Sequence, residues 1–341
     1  MRAGTIFVVA SILATISGTA TSGDISGVCT QDGGTPVICG QRRAEDLFPV
    51  SGTPWVIASW MDDGLVLIDA RDKTTSLLFP SPDAKIAFDA KTYATCPGAP
   101  GIADHDNFAI AGISVRRIGT GRYKLYAVRM GAQAGVHVLD LDMRGGRPVV
   151  TWVGCVPAPG TEFLNSVVSL PDGGFYVTHF RERGPTEEEN RARMERGEDN
   201  GDVMEWHPEG GWSKVPGSVM SGANGIELSP DRKWLYVNAW GRKSFYRIAL
   251  GANPPRRDEL KLGFHPDNIR WDRRGRLLVA GQADGRSYVV RIDPAVMRVE
   301  PLVDRPDSDL FRRSTVAIDM GKEMWVSSSR TQHILVLPAP K

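Results

Sequence analysis

Short β-rich runs, each introduced by a polar turn, recur along this chain. They are Gly52-Thr53-Pro54-Trp55-Val56-Ile57, Gly121-Arg122-Tyr123-Lys124-Leu125-Tyr126 and Asp172-Gly173-Gly174-Phe175-Tyr176-Val177. Three more follow: Asp231-Arg232-Lys233-Trp234-Leu235-Tyr236-Val237, Arg274-Gly275-Arg276-Leu277-Leu278-Val279 and Gly321-Lys322-Glu323-Met324-Trp325-Val326. Each reads as a hairpin, because the turn supplies positive-φ positions and the β-branched and aromatic residues suit a pleated surface. Most are followed by a further short strand, as in Leu65-Val66-Leu67-Ile68, Val136-His137-Val138-Leu139 and His333-Ile334-Leu335-Val336-Leu337. Six units give about 53 residues each, near the size of a four-stranded blade. A lone small sheet cannot bury both faces, so the units must stack around an axis. The pattern therefore predicts an all-β, six-bladed β-propeller; a Greek-key sandwich does not predict one phrase six times.

Two segments depart from this rhythm. Residues 181–200 read RERGPTEEENRARMERGEDN and have no apolar face. Pro185 followed by Glu187, Glu188 and Glu189, with Arg191, Arg193 and Arg196 behind, has the charge order of a helix. A solvated loop is equally compatible, and an ordered helix here would be a lid over one end of the propeller. At the start, Arg2 precedes an apolar stretch from Thr5 to Ile16 and then Ser17-Gly18-Thr19-Ala20, the pattern of a signal peptide cut after Ala20. That run is shorter than the ~20 residues a membrane span needs. The expected organisation is a signal peptide over residues 1–20 and one propeller domain over 21–341, secreted or periplasmic and without a membrane span.

Composition narrows the function classes. The 341 residues carry 41 basic and 40 acidic side chains, and a net charge of +1 lacks the basic excess that nucleic-acid binding requires. The 37 glycines and 23 prolines suit many turns better than a helical bundle. None of the four cysteines forms a Cys-x-x-Cys pair, which leaves disulfides in an oxidising compartment rather than zinc or thioredoxin chemistry. Four cysteines allow three pairings; Cys29–Cys39, around Asp32-Gly33-Gly34, and Cys96–Cys155 are the pair of bridges expected.

Oxygen-bearing residues sit in register just upstream of the repeated strands. Glu45 precedes Trp55 by ten positions, Asn165 precedes Phe175 by ten, Asn224 precedes Leu235 by eleven and Asn268 precedes Leu277 by nine, with Asp267 beside it. In a propeller the innermost strands line the central channel, so equivalent positions converge on the axis. A ring of carboxylates and carboxamides, with no cysteine or paired histidines, is the ligand set of a hard cation such as calcium. Each Asn alone would read as a turn residue, Asn224-Gly225 above all; the shared register is what argues for a metal. Asp172, Asp231 and Asp272 fall in the turns themselves and read as hairpin residues.

Asn224-Gly225-Ile226-Glu227-Leu228-Ser229-Pro230-Asp231 with Leu235-Tyr236-Val237, and Pro266-Asp267-Asn268 with Asp272, Gly275 and Leu277-Leu278-Val279-Ala280, resemble the gluconolactonase/regucalcin family. Glu45-Asp46-Leu47, Phe163-Leu164-Asn165 with Phe175-Tyr176-Val177-Thr178, and Ser314-Thr315-Val316-Ala317 are closer to the paraoxonase/arylesterase branch of six-bladed propellers. The resemblance implies a Ca2+ ion deep in the channel, held by Glu45, Asn165, Asn224, Asp267 and Asn268, and action on a small lactone or activated ester. It implies Asp267 as general base. Ala111 and Met130 stand where paraoxonases carry histidines, so imidazole activation of water does not transfer. Ser166 stands where paraoxonases have an aspartate that helps hold a second calcium, so that second site is expected to be weak or absent.

The leading expectation is metal-assisted hydrolysis of a lactone or aryl ester, with Asp267 taking the proton and His265 or His179 as supporting catalytic histidines. His105 is a lesser candidate. A Ser-His-Asp triad lacks its nucleophile elbow. Two alternatives keep the fold: non-hydrolytic chemistry such as isomerisation or strictosidine-synthase-like condensation, and a non-catalytic binding propeller.

Overall fold

The computed structural model describes residues 28–101, 108–131 and 133–340, and for residues 29–31 the backbone alone. The expected signal segment and His105 lie outside them. Six antiparallel sheets follow one another along the chain. The first blade holds β3 (Ala44–Pro49), β4 (Trp55–Trp60), β5 (Gly64–Asp69) and β6 (Thr75–Phe79). The second holds β8 (Ile110–Gly119), β9 (Arg122–Arg129), β10 (Gly135–Asp142) and β11 (Val149–Pro157), with the two-residue β7 (Lys85–Ile86) running parallel on its outer edge. The third holds β12 (Glu162–Ser169), β13 (Phe175–Glu182), β14 (Asp202–His207) and β15 (Gly211–Lys214). The fourth holds β16 (Ala223–Leu228), β17 (Trp234–Ala239), β18 (Ser244–Ala249) and β19 (Arg257–Lys261). The fifth holds β20 (His265–Trp271), β21 (Leu277–Ala283), β22 (Arg286–Asp293) and β23 (Arg298–Pro306).

The sixth sheet closes the ring with both ends of the chain. It takes β24 (Ser314–Asp319), β25 (Glu323–Ser328) and β26 (Ile334–Pro338), and adds the hairpin of β1 (Val28–Asp32) and β2 (Thr35–Ile38), whose Val37 pairs with Leu335. The first strand of each blade packs on the first strand of the next, from β3 through β8, β12, β16, β20 and β24 back to β3. The molecule is a six-bladed propeller.

The six repeated phrases are the second strands of the six blades and the turns that lead into them. Five of those turns place a glycine at positive φ: Gly52, Gly121, Gly173, Gly275 and Gly321. The fourth blade uses Arg232 in the same left-handed conformation, at a cost of about 1 kcal/mol. Asp172, Asp231 and Asp272 receive backbone N–H groups of their own turns, as expected of hairpin residues. Middle strands read as unbroken apolar runs because neighbouring blades cover both faces; all six residues of β5 are buried. Cys96 and Cys155 form a disulfide. Cys39 is also disulfide-bonded, and the Cys29 side chain lies outside the described residues.

Residues 187–195 form a helix, α1 (Glu187–Glu195), between β13 and β14. Thr186 caps it reciprocally with Glu189, and three glutamates complement the positive end of its first turn. The helix has no apolar stripe, yet it is anchored: Asn190 is buried and donates to the carbonyls of Glu182 and Pro185. Met194 is buried against Gly222 and Gly241, where any side chain would collide with it. Among the described residues no helix is long and apolar enough to cross a membrane.

Candidate functional site

Each innermost strand loses its pairing register at an equivalent place. The breaks fall between Ala44 and Asp46, Ile110 and Ile113, Leu164 and Val167, Ala223 and Ile226, Pro266 and Ile269, and Ser314 and Val316. They hold Glu45, Ala111-Gly112, Asn165-Ser166, Asn224-Gly225, Asp267-Asn268 and Thr315. The residues singled out by register are therefore the bulged residues of equivalent strands, and a bulge re-aims its side chain away from the pleat. Hydroxyls on second strands collect the freed amides: Ser59 accepts from Asp46 N at 3.0 Å and Thr178 from Ser166 N at 2.9 Å. Gly225 is no turn residue. It lies inside β16, where a Cβ would sit 2.3 Å from the Asp267 carbonyl of the next blade.

Glu45, Asn165, Asn224 and Asp267 share the wall of one cavity of about 290 Å3 at the mouth of the axis. Asn165 Oδ1, Asn224 Oδ1 and Asp267 Oδ1 are buried without a hydrogen-bond partner. Burial, then the charges of Asp267 and Asp46, push the Glu45 carboxyl well above the usual range. Burial raises Asp267 to about 7, opposed by the amides of Gln282 and Asn224. Buried Asn amides grip the backbone of both acidic residues: Asn238 Nδ2 donates to Asp267 O at 2.6 Å and Asn268 Nδ2 to Glu45 O at 3.2 Å. Two carboxylates that resist ionisation together, beside carboxamide oxygens with nothing to bind, fit a hard divalent cation. Among the described residues no three His, Cys, Asp or Glu cluster as a metal centre; half of this donor set is asparagine.

Asn268 and the two histidines fall elsewhere. Asn268 is fully buried outside the cavity wall and fastens β20 to β3 through its amide. His265 stacks on Trp240 with ring centroids 4.0 Å apart and bonds its carbonyl through Nδ1, so Trp240, not His265, faces the cavity. The bulge after Pro266 breaks the alternation that would have put His265 and Asp267 side by side. His179 lines a different cavity beside Asp202, Glu182 and Lys214, its Nδ1 3.4 Å from Asp202. It pairs with β14, whose Asp202 is its cross-strand partner.

Beneath the floor, Asp46 is buried against Arg270, which also donates to the carbonyls of Leu47, Ile113 and Ile269. Its oxygens further accept from the N–H groups of Ile113 and Leu47. A guanidinium of the chain itself thus occupies the Asp46 carboxylate. The sequence reading missed Arg270, and it missed Arg313, Ser329 and Arg330 on the cavity wall; Arg181, Arg191 and Met194 belong to the segment 181–200 that it read as a candidate lid. Arg313, Ser329 and Arg330 come from loops outside the strands, where no register exists to flag them. Ala111 and Met130 also face the cavity, so the two positions without histidine are true wall positions.

Residues 117–329 match the model of the SMP-30/gluconolactonase/LRE-like region. The chain belongs to this family. Among solved structures, a gluconolactonase from Xanthomonas campestris aligns with a TM-score of 0.58 at 14% identity, over 93% of this chain and 98% of that one. A luciferin-regenerating enzyme aligns at 0.56 and 14% identity, over 92% and 94%. A calcium-binding protein, regucalcin from Agrobacterium tumefaciens, aligns at 0.52 and 12% identity, over 88% and 91%. At such identities the likeness speaks for the fold of this SMP-30/gluconolactonase/LRE-like chain. No curated protein matches the sequence.

Proposed function

We propose that this protein is an exported, calcium-dependent hydrolase of lactones or activated aryl esters. The observation that carries the reading is the set of buried, unpartnered oxygens of Asn165, Asn224 and Asp267 beside Glu45 on one cavity floor. Membership of the gluconolactonase-containing family supports the reaction class, and the calcium-binding neighbour regucalcin supports the metal. The Cys96–Cys155 bridge supports an oxidising compartment.

Glu45, Asn165, Asn224 and Asp267 would hold the calcium, which when bound supplies Lewis-acid polarisation of the substrate carbonyl. Asp267 takes the proton of the attacking water as its oxygen adds to the carbonyl carbon. The C–O bond of the ester then breaks, and Asp267 returns the proton to the leaving oxygen. Ala111 and Met130 offer no basic nitrogen on that wall, which leaves the proton to the carboxylate. Met194 and the other inward residues of α1 cover the mouth and limit access of bulk water.

A hydrolysis screen on aliphatic lactones and phenyl esters, with and without chelator, tests this. Turnover should require calcium, vanish in Asp267→Ala, and calorimetry should show weaker calcium binding in Glu45→Ala and Asn224→Ala. Unchanged turnover in Asp267→Ala removes the assigned base, and conversion without uptake of water moves the site to isomerase chemistry.

A further inference from the structure

The cavity wall carries four guanidiniums, Arg181, Arg191, Arg313 and Arg330, against three carboxylates, two of which are the floor residues Glu45 and Asp267. Two of the arginines are already matched. Arg181 pairs with Glu187 and lies 4.4 Å over the Phe163 ring, and Arg191 binds Glu195 at 3.2 Å. Among the described residues the other two guanidiniums make no ion pair or hydrogen bond. Arg313 is half-buried and holds a left-handed backbone conformation at φ 55°, fixed by its N–H donating to Asp307. Arg330 is exposed at the end of β25 and follows Ser329, another wall residue. Arg313 is held below the ordinary arginine range by burial, then by the fields of Arg330 and Arg191.

A structural reading would make Arg330 the counter-charge of the floor. That balance ends once a divalent cation neutralises Glu45 and Asp267, because Arg313 and Arg330 then face a site with no negative charge left for them. We infer that these two arginines bind an anionic substituent, a carboxylate or phosphate monoester, on the lactone or ester whose carbonyl lies over the floor. This rests on the hydrolase reading and specifies its substrate class. Guanidinium forks match both groups in planar, charge-assisted pairs, and a cavity of this size suits a small, sugar-acid-sized molecule.

The test compares kcat/KM of the calcium-loaded full protein on glucono-δ-lactone, its 6-phosphate and a glucaric acid lactone, for wild type, Arg313→Gln and Arg330→Gln. Wild type should favour one anionic lactone over the neutral one by about 10-fold or more, and the favoured one tells phosphate from carboxylate. Each variant should lose about 10- to 100-fold on that substrate and less than about 2-fold on the neutral lactone. Arg330 is exposed, so its variant should keep the wild-type thermal midpoint. Equal rates on all three, unmoved by either substitution, overturn the inference and leave the hydrolase reading standing. Tighter calcium binding in Arg330→Gln with no change in substrate preference also overturns it, in favour of the counter-charge role. If no lactone is cleaved the hydrolase reading fails, and calorimetry with 6-phosphogluconate, glucarate and gluconate then decides. Selective, Arg313-dependent binding of 6-phosphogluconate or glucarate over gluconate retains the anion site; equal or absent binding eliminates it.

Discussion

Glu45 and Asp46 are adjacent residues of one strand, and the fold treats their charges in opposite ways. Asp46 meets a cation from the chain itself, Arg270, plus two backbone N–H groups, so its layer is complete. Glu45 meets Asp267 and two carboxamides whose oxygens have no partner. A built-in guanidinium makes one layer structural; the layer above is left for a cation from solution. A third buried polar group, His137, avoids charge altogether. Burial and then Arg129 push it down to about 3, and its Nδ1 accepts from Trp152 Nε1 at 3.1 Å.

The largest effect should come from removing the built-in cation. Arg270→Met leaves Asp46, and Glu227 whose carboxylate lies 3.6 Å from the same guanidinium, buried without it, a loss of about 3–5 kcal/mol read by urea denaturation. Adding Asp46→Asn should recover much of that loss; a single-variant loss under about 1 kcal/mol would break the contrast between the layers.

His137 comes next. Its folded pKa lies below an unfolded value near 6.5, so the unfolded chain binds the extra proton between the two. Unfolding free energy should therefore fall by about 2 kcal/mol from pH 7 to 5 through this group, and His137→Asn should flatten that part of the profile.

At the floor the sign reverses. Asp267→Asn removes the cost of burying a charge and, less, the repulsion from Asp46, and should stabilise the metal-free protein by about 1 kcal/mol, while abolishing the thermal shift that calcium gives wild type. Destabilisation of the metal-free form would show that this carboxylate is structurally paired after all.

Least affected should be Thr186→Ala, which removes the lid's cap. About 0.5–1 kcal/mol of local stability should go, seen as faster amide exchange in α1 with calcium affinity unchanged.

Much of this was legible from residue order. Turn-plus-strand phrases repeated six times because every blade needs the same left-handed turn, and five of six turns advertise it with glycine. The floor was legible for the same reason: equivalent bulges put Glu45, Asn165, Asn224 and Asp267 at nearly the same distance from those turns. Alternation along the strand misled for His265, since a bulge shifts the pleat by one residue. Asn268 and His179 do not line the cavity, because adjacency in sequence does not say which side of a bulge or which sheet edge a side chain serves; Asn268 Oδ1 is nevertheless buried without a hydrogen-bond partner, like the oxygens of Asn165 and Asn224.

The chain by itself determined the blade count and the hairpin turns and flagged Glu45, Asn165, Asn224 and Asp267, since all of these repeat with the period of the fold; its four cysteines left three pairings open, and the Cys96–Cys155 bridge came from the structure. Only the tertiary structure decided that Arg270 takes Asp46, that α1 contributes to the cavity wall, and that Arg313 and Arg330 share that wall with Glu45 and Asp267. Those residues come from separate blades and irregular loops with no common spacing, and they meet only when the ring closes.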